Sequence, residues 1–431
     1  MLIFLLKRTA LALTALACVL ALSGCSALTA ATNSQTVILT DDFTSAPELS
    51  AEGSVSALGK AAKASSKSSG GGAKNKSSSQ TSKTQSPFGK AKTYTPKKVA
   101  QNLLLSGRAT LVTGGAALDW DCAAVTFKVN CSGEILVTLS AQGGGIAYLR
   151  AFVDGKEISA GRIALTAENA KQVTLASNLP AGTHTVQLLR ISGSEPPYIT
   201  LTGITLSGSF LPPPTLPEDR IIFIGGTPFT GEAALLSNEA ARAAGEDETP
   251  LRRVENRDSS KTFAYLTAKR LGLSYEIITR ANTAFGISDF HKDPVNLTQL
   301  YGLSTRREGG QSYQVPGRVK YVVISGVNAD FNLSLHKAEG KSAAESFQKQ
   351  QDFIRTMQEQ YPGCKIIWCY GQRPLSSYYL SCIQQSVQLR GGQAGGVYLL
   401  KLSACKRLER PGAETHQKLA EELYSFIQKL K

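Results

Sequence analysis

"RIIFIGGTPFTGE", Arg220 to Glu232, decides how the second half of the chain is read. Ile221, Ile222, Phe223 and Ile224 form an unbroken apolar run, as a parallel strand covered on both faces requires. The run ends in Gly225-Gly226, after which Thr227 offers a hydroxyl and Pro228 suits the first turn of a helix. A hydroxyl presented where a strand meets a helix is the layout of an enzymatic nucleophile. The stretch therefore predicts an α/β domain and asks whether Thr227 does the work of a nucleophile.

Downstream the same grammar repeats. "YEIITRA", "KYVVISG", "KIIWCYG" and "GVYLLKL" are short apolar runs, separated by amphipathic stretches such as "SKTFAYLTAKRLG", "AAESFQKQQDFIRTMQEQYPG" and "ETHQKLAEELYSFIQKLK". Gly272 is placed to cap the first of these helices. With the Arg220 run this gives five strands alternating with helices, a three-layer α/β domain on a parallel sheet, assigned to residues 213–431. Ligands of such sheets sit beyond the carboxyl ends of the strands, here Gly225–Thr227, Ala281–Gly286, Gly326–Asn328, Tyr370–Arg373 and Ser403–Pro411.

Upstream, residues 101–212 read as all-β. "AVTFKVNC", "EILVTLSAQ", "IAYLRAFVDG", "QVTLASNLPAGTHTVQLLRIS" and "YITLTGITLSG" cluster β-branched residues between Gly, Asn and Pro breaks, which predicts a β-sandwich. Asp154-Gly155 reads as a tight hairpin turn and Leu179–Gly182 as a second turn. Leu211–Asp219 ("LPPPTLPED") makes a stiff connector between the two regions.

The first 24 residues read as an export signal, with Lys7 and Arg8 before an apolar run. Leu22-Ser23-Gly24-Cys25 looks like a bacterial lipobox, which implies lipidation of Cys25 and an outward-facing, membrane-anchored lipoprotein of the cell envelope. The formal charge of +14 invites a nucleic-acid reading. However, ten lysines fall between Lys60 and Lys98 and no acidic residue occurs from Gly53 to Leu118. The excess thus belongs to a Lys/Ser/Gly-rich tether, residues 25–100, which cannot bury enough apolar surface to fold. Its lysines suit anionic headgroups or wall polymers, and no nucleic-acid partner is expected.

Six cysteines follow Cys25. Disulfides are permitted in an exported protein, and Cys122 with Cys131, inside one candidate hairpin, is the expected pair. The pairing of Cys364, Cys369, Cys382 and Cys405 is left open. No CxxC or compact Cys/His cluster exists, so neither a metal nor another cofactor is expected.

Together these pieces resemble the carbohydrate esterase family 2 arrangement, an N-terminal jelly roll followed by an SGNH-type hydrolase. The first domain carries the resemblance in "SGRATLVTGGAALDWDCAAVTFKVNCSG", "VDGKE", "LPAGTHTVQLLRISGSE" and "ITLTGITLSG". The second carries it in "IIFIGGTPFTGE", "SSKTFAYLTAKRLGLSYEIITRA", "VVISGVNADF" and "PGAETHQKLAEEL". The resemblance implies hydrolysis of O-acetyl esters on sugars, by a serine in a Gly-Asp-Ser turn and a histidine base in the last block.

This chain departs from that pattern. It has Gly225-Gly226-Thr227 at the nucleophile turn, and the methyl of threonine crowds an approaching carbonyl. In "LERPGAETHQKL", Leu408 stands where the resemblance implies an aspartate and Arg410 where it implies the base. Arginine stays protonated and cannot accept a proton. The family's oxyanion donors map onto Gly286 and onto Asn328 in Gly326-Val327-Asn328. Among the histidines, His416 reads as a helix-packing residue and His184 as structural, while His291 and His336 are the ones open to substitute as base.

The sequence thus leads to a surface lipoprotein with an esterase-like, non-catalytic or very weakly active module that binds glycan or cell-wall polymer. The competing readings are an active O-acetyl esterase using Thr227 with a displaced histidine, and a structural role in the envelope. Trp120, Tyr148 and Tyr198 are the aromatic candidates for a sugar platform, with core packing as their alternative.

Overall fold

The computed structural model describes residues 88–167, 170–244, 249–281, 283, 285, 296–307, 310–327, 341–372, 377–403 and 410–431. The signal and lipidation site, most of the tether, Cys405, Leu408, Gly286, Asn328, His291 and His336 lie outside them.

The N-terminal domain is one curled antiparallel sheet of ten strands. They are β1 (Lys92–Tyr94), β2 (Leu103–Ser106), β3 (Thr110–Val112), β4 (Gly115–Leu118), β5 (Ala124–Gln142), β6 (Ile146–Val153), β7 (Lys156–Glu157), β8 (Ile163–Thr166), β9 (Lys171–Arg190) and β10 (Tyr198–Leu211). Strands β3-β4-β10-β5-β9-β6-β7 lie side by side, with β1 on β10, β2 on β5 and β8 on β6. Alternation decides the inner face: Val125, Phe127, Val129, Cys131, Ile135, Val137 and Leu139 of β5 are all fully buried.

Three sequence expectations need correction here. The turn expected at Leu179–Gly182 is absent, and β9 runs straight through it opposite Cys131 and Gly133 of β5. Three register shifts between Cys131 and Leu136 bend the paired strands instead, so bulges curl the sheet where a chain reversal was expected. The expected Cys122–Cys131 disulfide also fails, since both thiols are free. An extended strand separates them: Cys122 bonds to Arg190 at one end of the β5–β9 ladder and Cys131 pairs with Gly182 further along it. The strand from Ala124 to Cys131 alone rises roughly 23 Å, against the ~7 Å Cα limit for a disulfide. Finally, the tether ends earlier than residue 100, because Lys92–Tyr94 pairs with Ile204–Leu206 and Val99 joins the core. The Asp154-Gly155 hairpin forms as expected, with Val153 opposite Lys156.

The second domain has five parallel strands, β11 (Asp219–Gly225), β12 (Ser274–Thr279), β13 (Arg318–Ser325), β14 (Lys365–Tyr370) and β15 (Val397–Lys401), in the order β12-β11-β13-β14-β15. Helices α1 (Thr227–Thr230), α2 (Asn238–Ala244), α3 (Pro250–Glu255), α4 (Phe263–Leu271), α5 (Leu297–Tyr301), α6 (Lys341–Gln360), α7 (Ser377–Leu389) and α8 (Ala413–Lys429) connect and cover them. Gly272 caps α4 in the left-handed conformation, its N–H bonded to the Ala268 and Lys269 carbonyls. In this order the chain first runs outward to β12 and then crosses back to β13. The crevice between the ends of β11 and β13 is the switch point where such sheets bind ligands.

Buried ions join the two domains. Arg108 Nε donates to Glu276 Oε2 at 2.6 Å, with both side chains almost wholly buried. The Tyr313 hydroxyl donates to the other Glu276 oxygen at 2.8 Å. Arg307 forks onto Asp119, and an isolated antiparallel bridge links Asp121 to Ile277.

Candidate functional site

At the end of β11 the chain turns through Gly225 and Gly226, and Thr227 opens α1 half-buried. Backbone packing dictates the glycines. A Cβ on Gly226 would lie 2.3 Å from the Gly326 carbonyl oxygen. One on Gly326, where φ is +67°, would lie 2.4 Å from Pro228 Cδ. The Gly226 N–H donates to Ser325 O at 3.0 Å and the Arg280 N–H to Gly225 O at 3.1 Å, so three strand ends converge here. The place where the family resemblance implies an aspartate side chain is filled by the neighbouring turn. Glycine at 226 is therefore part of how β11 and β13 meet.

Behind the turn, Phe229 packs against Phe223 and Phe263, and Thr230 Oγ1 donates to the Thr227 carbonyl at 3.0 Å. These contacts hold Thr227 where β11 meets α1. No described residue hydrogen-bonds to its hydroxyl.

Arg410, which the family resemblance sets at the position of a base, is tied to the loop that carries Thr227. Its Nε lies 3.4 Å from Glu232 Oε2, while Arg257 Nη2 donates to Glu232 Oε1 at 2.9 Å. Arg257 Nη1 also reaches the Ser192 carbonyl at 3.2 Å, tying the pair to the N-terminal sheet. A carboxylate held between two guanidiniums is a stable anchor, and a guanidinium is a hydrogen-bond donor with no acceptor to offer.

His416 lies inside α8 and is buried, as a packing residue should be. Its Nδ1 accepts the Phe263 N–H at 3.3 Å and its ring stacks on Phe263 at 6.3 Å. Burial pulls its pKa down to about 3, so the imidazole stays neutral. His184 bonds Asp154 at 2.7 Å and the Pro180 carbonyl at 2.9 Å, inside the N-terminal sheet. Burial lowers its pKa, but those two hydrogen bonds more than offset this and the net shift is upward.

The aromatic candidates also divide. Trp120 is fully buried and its Nε1–H donates to Ser304 O at 2.9 Å, which makes it a core residue. Tyr148 is buried beneath the Arg162 guanidinium, 4.7 Å from its ring centre. Only Tyr198 is half-buried.

A carboxyl group that the sequence reading left unassigned stands near the turn. Asp121, fully buried, accepts hydrogen bonds from the hydroxyls of Thr279 and Ser194. Burial raises its pKa, while the Thr279 bond, Arg257 and Arg190 oppose the rise. Thr279 pairs with Gly225 in the sheet, so Asp121 braces the turn from the N-terminal domain. Asp121 and Ser194 are 73 residues apart, and no local pattern announces such a contact. Arg410 was singled out in the sequence, but nothing local showed that it shares Glu232 with Arg257.

Residues 105–214 match the family model described as Carbohydrate esterase 2 N-terminal. The chain is 24% identical over 287 residues to an acetylxylan esterase / glucomannan deacetylase of Cellvibrio japonicus, covering 65% of this chain and 74% of that protein. Among solved structures, a family two carbohydrate esterase from Clostridium thermocellum in complex with cellohexaose aligns with a TM-score of 0.63 at 21% identity. That alignment covers 76% of this chain and 98% of the other. A family two carbohydrate esterase from Cellvibrio japonicus gives 0.65 at 18% identity, covering 79% and 98%. At these identities the structural likeness is one of fold. The chain is thus similar to family 2 carbohydrate esterases through both domains, sheet and SGNH-like hydrolase fold alike.

Proposed function

We propose that this protein is a carbohydrate-binding relative of the family 2 esterases in which the hydrolytic site is retained as a binding site and has lost most or all of its turnover. The observation that carries the reading is the Arg410–Glu232–Arg257 cluster, which puts a paired cation where proton acceptance is needed. Loss of the base removes a contribution of about 10²–10⁴-fold, and groups that act as a unit do not survive piecemeal. The strand order keeps a topological switch point between the ends of β11 and β13, where such sheets bind ligands. The Clostridium thermocellum relative holds cellohexaose, which supports glycan as the ligand class. We place the protein at the cell envelope, attached through lipidated Cys25 with residues 25–91 as a tether, on the strength of the leader motif and the lysine-rich composition.

A second reading, residual acetyl esterase activity, is favoured by the half-buried Thr227, which keeps a hydroxyl after the strand, and by the Cellvibrio japonicus relative's activity. One assay separates the two: a chromogenic acetyl ester and acetylated xylan, with the wild-type chain beside Thr227→Ala. We expect both proteins to match the buffer rate. Turnover in the wild type that disappears in the variant would establish the esterase reading instead.

A further inference from the structure

We propose that a second ligand site lies in the cleft between the β3–β4 hairpin and the segments 302–307 and 310–314, and that it takes a neutral oligosaccharide. The cleft encloses about 930 Å³, enough for several sugar rings, and shares no lining residue with the Thr227 turn. This inference therefore stands apart from the function proposed for that turn.

The lining chemistry selects the ligand class. Thr110, Thr113, Gln142, Ser304, Gln311 and Gln314 present hydroxyls and amides. Arg307 is the one charged side chain among the described lining residues, and it is already engaged. Its guanidinium donates to both Asp119 oxygens, to Thr200 Oγ1 at 2.8 Å and to the Ile199 carbonyl at 2.9 Å. Among the described lining residues an anionic ligand would find no cation left unengaged. The amides of Gln142, Gln311 and Gln314 are exposed and bond to no described residue. Each amide carries donors and an acceptor together, which matches sugar hydroxyls that do both. Leu111, 41% exposed at the rim, adds an apolar surface for a sugar's C–H face.

The far wall is held in place before any ligand arrives. Ser304 N–H donates to Gln311 O at 2.9 Å, Leu303 bridges Ser312, and Tyr313 N–H donates to Gly302 O at 3.0 Å. Trp120 Nε1–H fixes Ser304 from the N-terminal sheet, and the Arg307 fork clamps the same wall to Asp119. A wall already ordered does not charge its ordering entropy against the affinity.

The test is calorimetric titration of the full chain with cellohexaose, xylohexaose, mannohexaose and, as an anionic comparator, hexagalacturonate. At least one neutral hexaose should bind more tightly than hexagalacturonate. Gln142→Ala with Gln311→Ala should weaken that binding about tenfold, as expected for two lost hydrogen bonds. Both glutamines are exposed, so the melting temperature should not change. Binding should persist in Thr227→Trp, which obstructs the other crevice. Three results would overturn the proposal: no neutral hexaose binds, hexagalacturonate binds more tightly, or binding is lost in Thr227→Trp and kept in the glutamine variant. In that last case glycan recognition at the Thr227 turn stands and the cleft site falls.

Discussion

Arg410 and Glu232 meet at the carboxyl end of the parallel sheet, 3.4 Å apart, and so join the last loop of the chain to the loop that carries Thr227. Glu232 is shared with Arg257, which is closer at 2.9 Å and also holds Ser192 of the N-terminal domain. The two arginines are therefore unequal. Removing Arg410 leaves Glu232 paired. Removing Arg257 leaves Glu232 weakly held and frees a buried carbonyl. Arg410→Ala should cost about 1 kcal/mol and Arg257→Ala about 3 kcal/mol. Urea denaturation followed by fluorescence checks the ordering, and equal losses would contradict it.

The Arg108–Glu276 pair should matter more. Both side chains are almost wholly inaccessible, and Glu276 also takes the Tyr313 hydroxyl. Glu276→Ala strands a buried guanidinium and should destabilise the chain by about 3–5 kcal/mol. Arg108 is also bonded to the Tyr301 and Leu303 carbonyls, so the loss should loosen the segment after α5. Hydrogen exchange at residues 301–305 would show faster exchange in the variant, and unchanged protection there would contradict the assignment.

The five parallel strands were legible in the sequence, because apolar runs are a local property. The long-range ion pairs were not. Arg108 and Glu276 are 168 residues apart, and neither looks unusual among surface-type charges. Cys122 and Cys131 were misassigned for a related reason. Eight residues between cysteines suit a hairpin as well as a strand, and only the continuous β5–β9 ladder decides. Likewise Pro180-Ala181-Gly182 carries turn residues, yet the bulges opposite Gly133 let the strand bend through them.

The free thiols give a direct check. Burial pushes the pKa of the Cys122 thiol well up, and its Sγ donates to Ser259 Oγ at 3.4 Å. Cys122 and Cys131 should therefore resist alkylation in the folded protein and both react in denaturant without reductant. Peptide mass spectrometry after denaturing alkylation should find two carbamidomethyl groups in that stretch. A linked peptide would restore the disulfide.

His416 predicts an acid limb of stability. Its folded pKa, about 3, lies below the ordinary histidine value, so the unfolded chain binds the extra proton first. The stabilisation is complete above about pH 6.5 and is lost progressively as pH falls from there toward 3, with a slope of at most about 1.4 kcal/mol per unit. His416→Gln removes the titrating group. Wild type and variant should differ in the pH dependence of unfolding between pH 7 and 5, the wild type being steeper. Parallel curves would show that His416 does not titrate in this way.

The last expectation concerns rebuilding catalysis. Gly226 cannot accept an aspartate, because its Cβ would lie 2.3 Å from the Gly326 carbonyl, so Gly226→Asp should destabilise the fold rather than repair it, by about 1–3 kcal/mol or more. Thr227 and Arg410 can be exchanged without that clash. Thr227→Ser removes the crowding methyl, and Arg410→His supplies an acceptor while Glu232 keeps Arg257. A positioned base is worth about 10²–10⁴-fold, and this one lacks an orienting carboxylate at Leu408. The double variant should therefore hydrolyse a chromogenic acetyl ester on the order of 10²-fold above either single variant, and adding Leu408→Asp should raise the rate again. If the double variant is well folded and still matches the buffer rate, exchanging these two residues does not suffice to make the Thr227 turn hydrolytic.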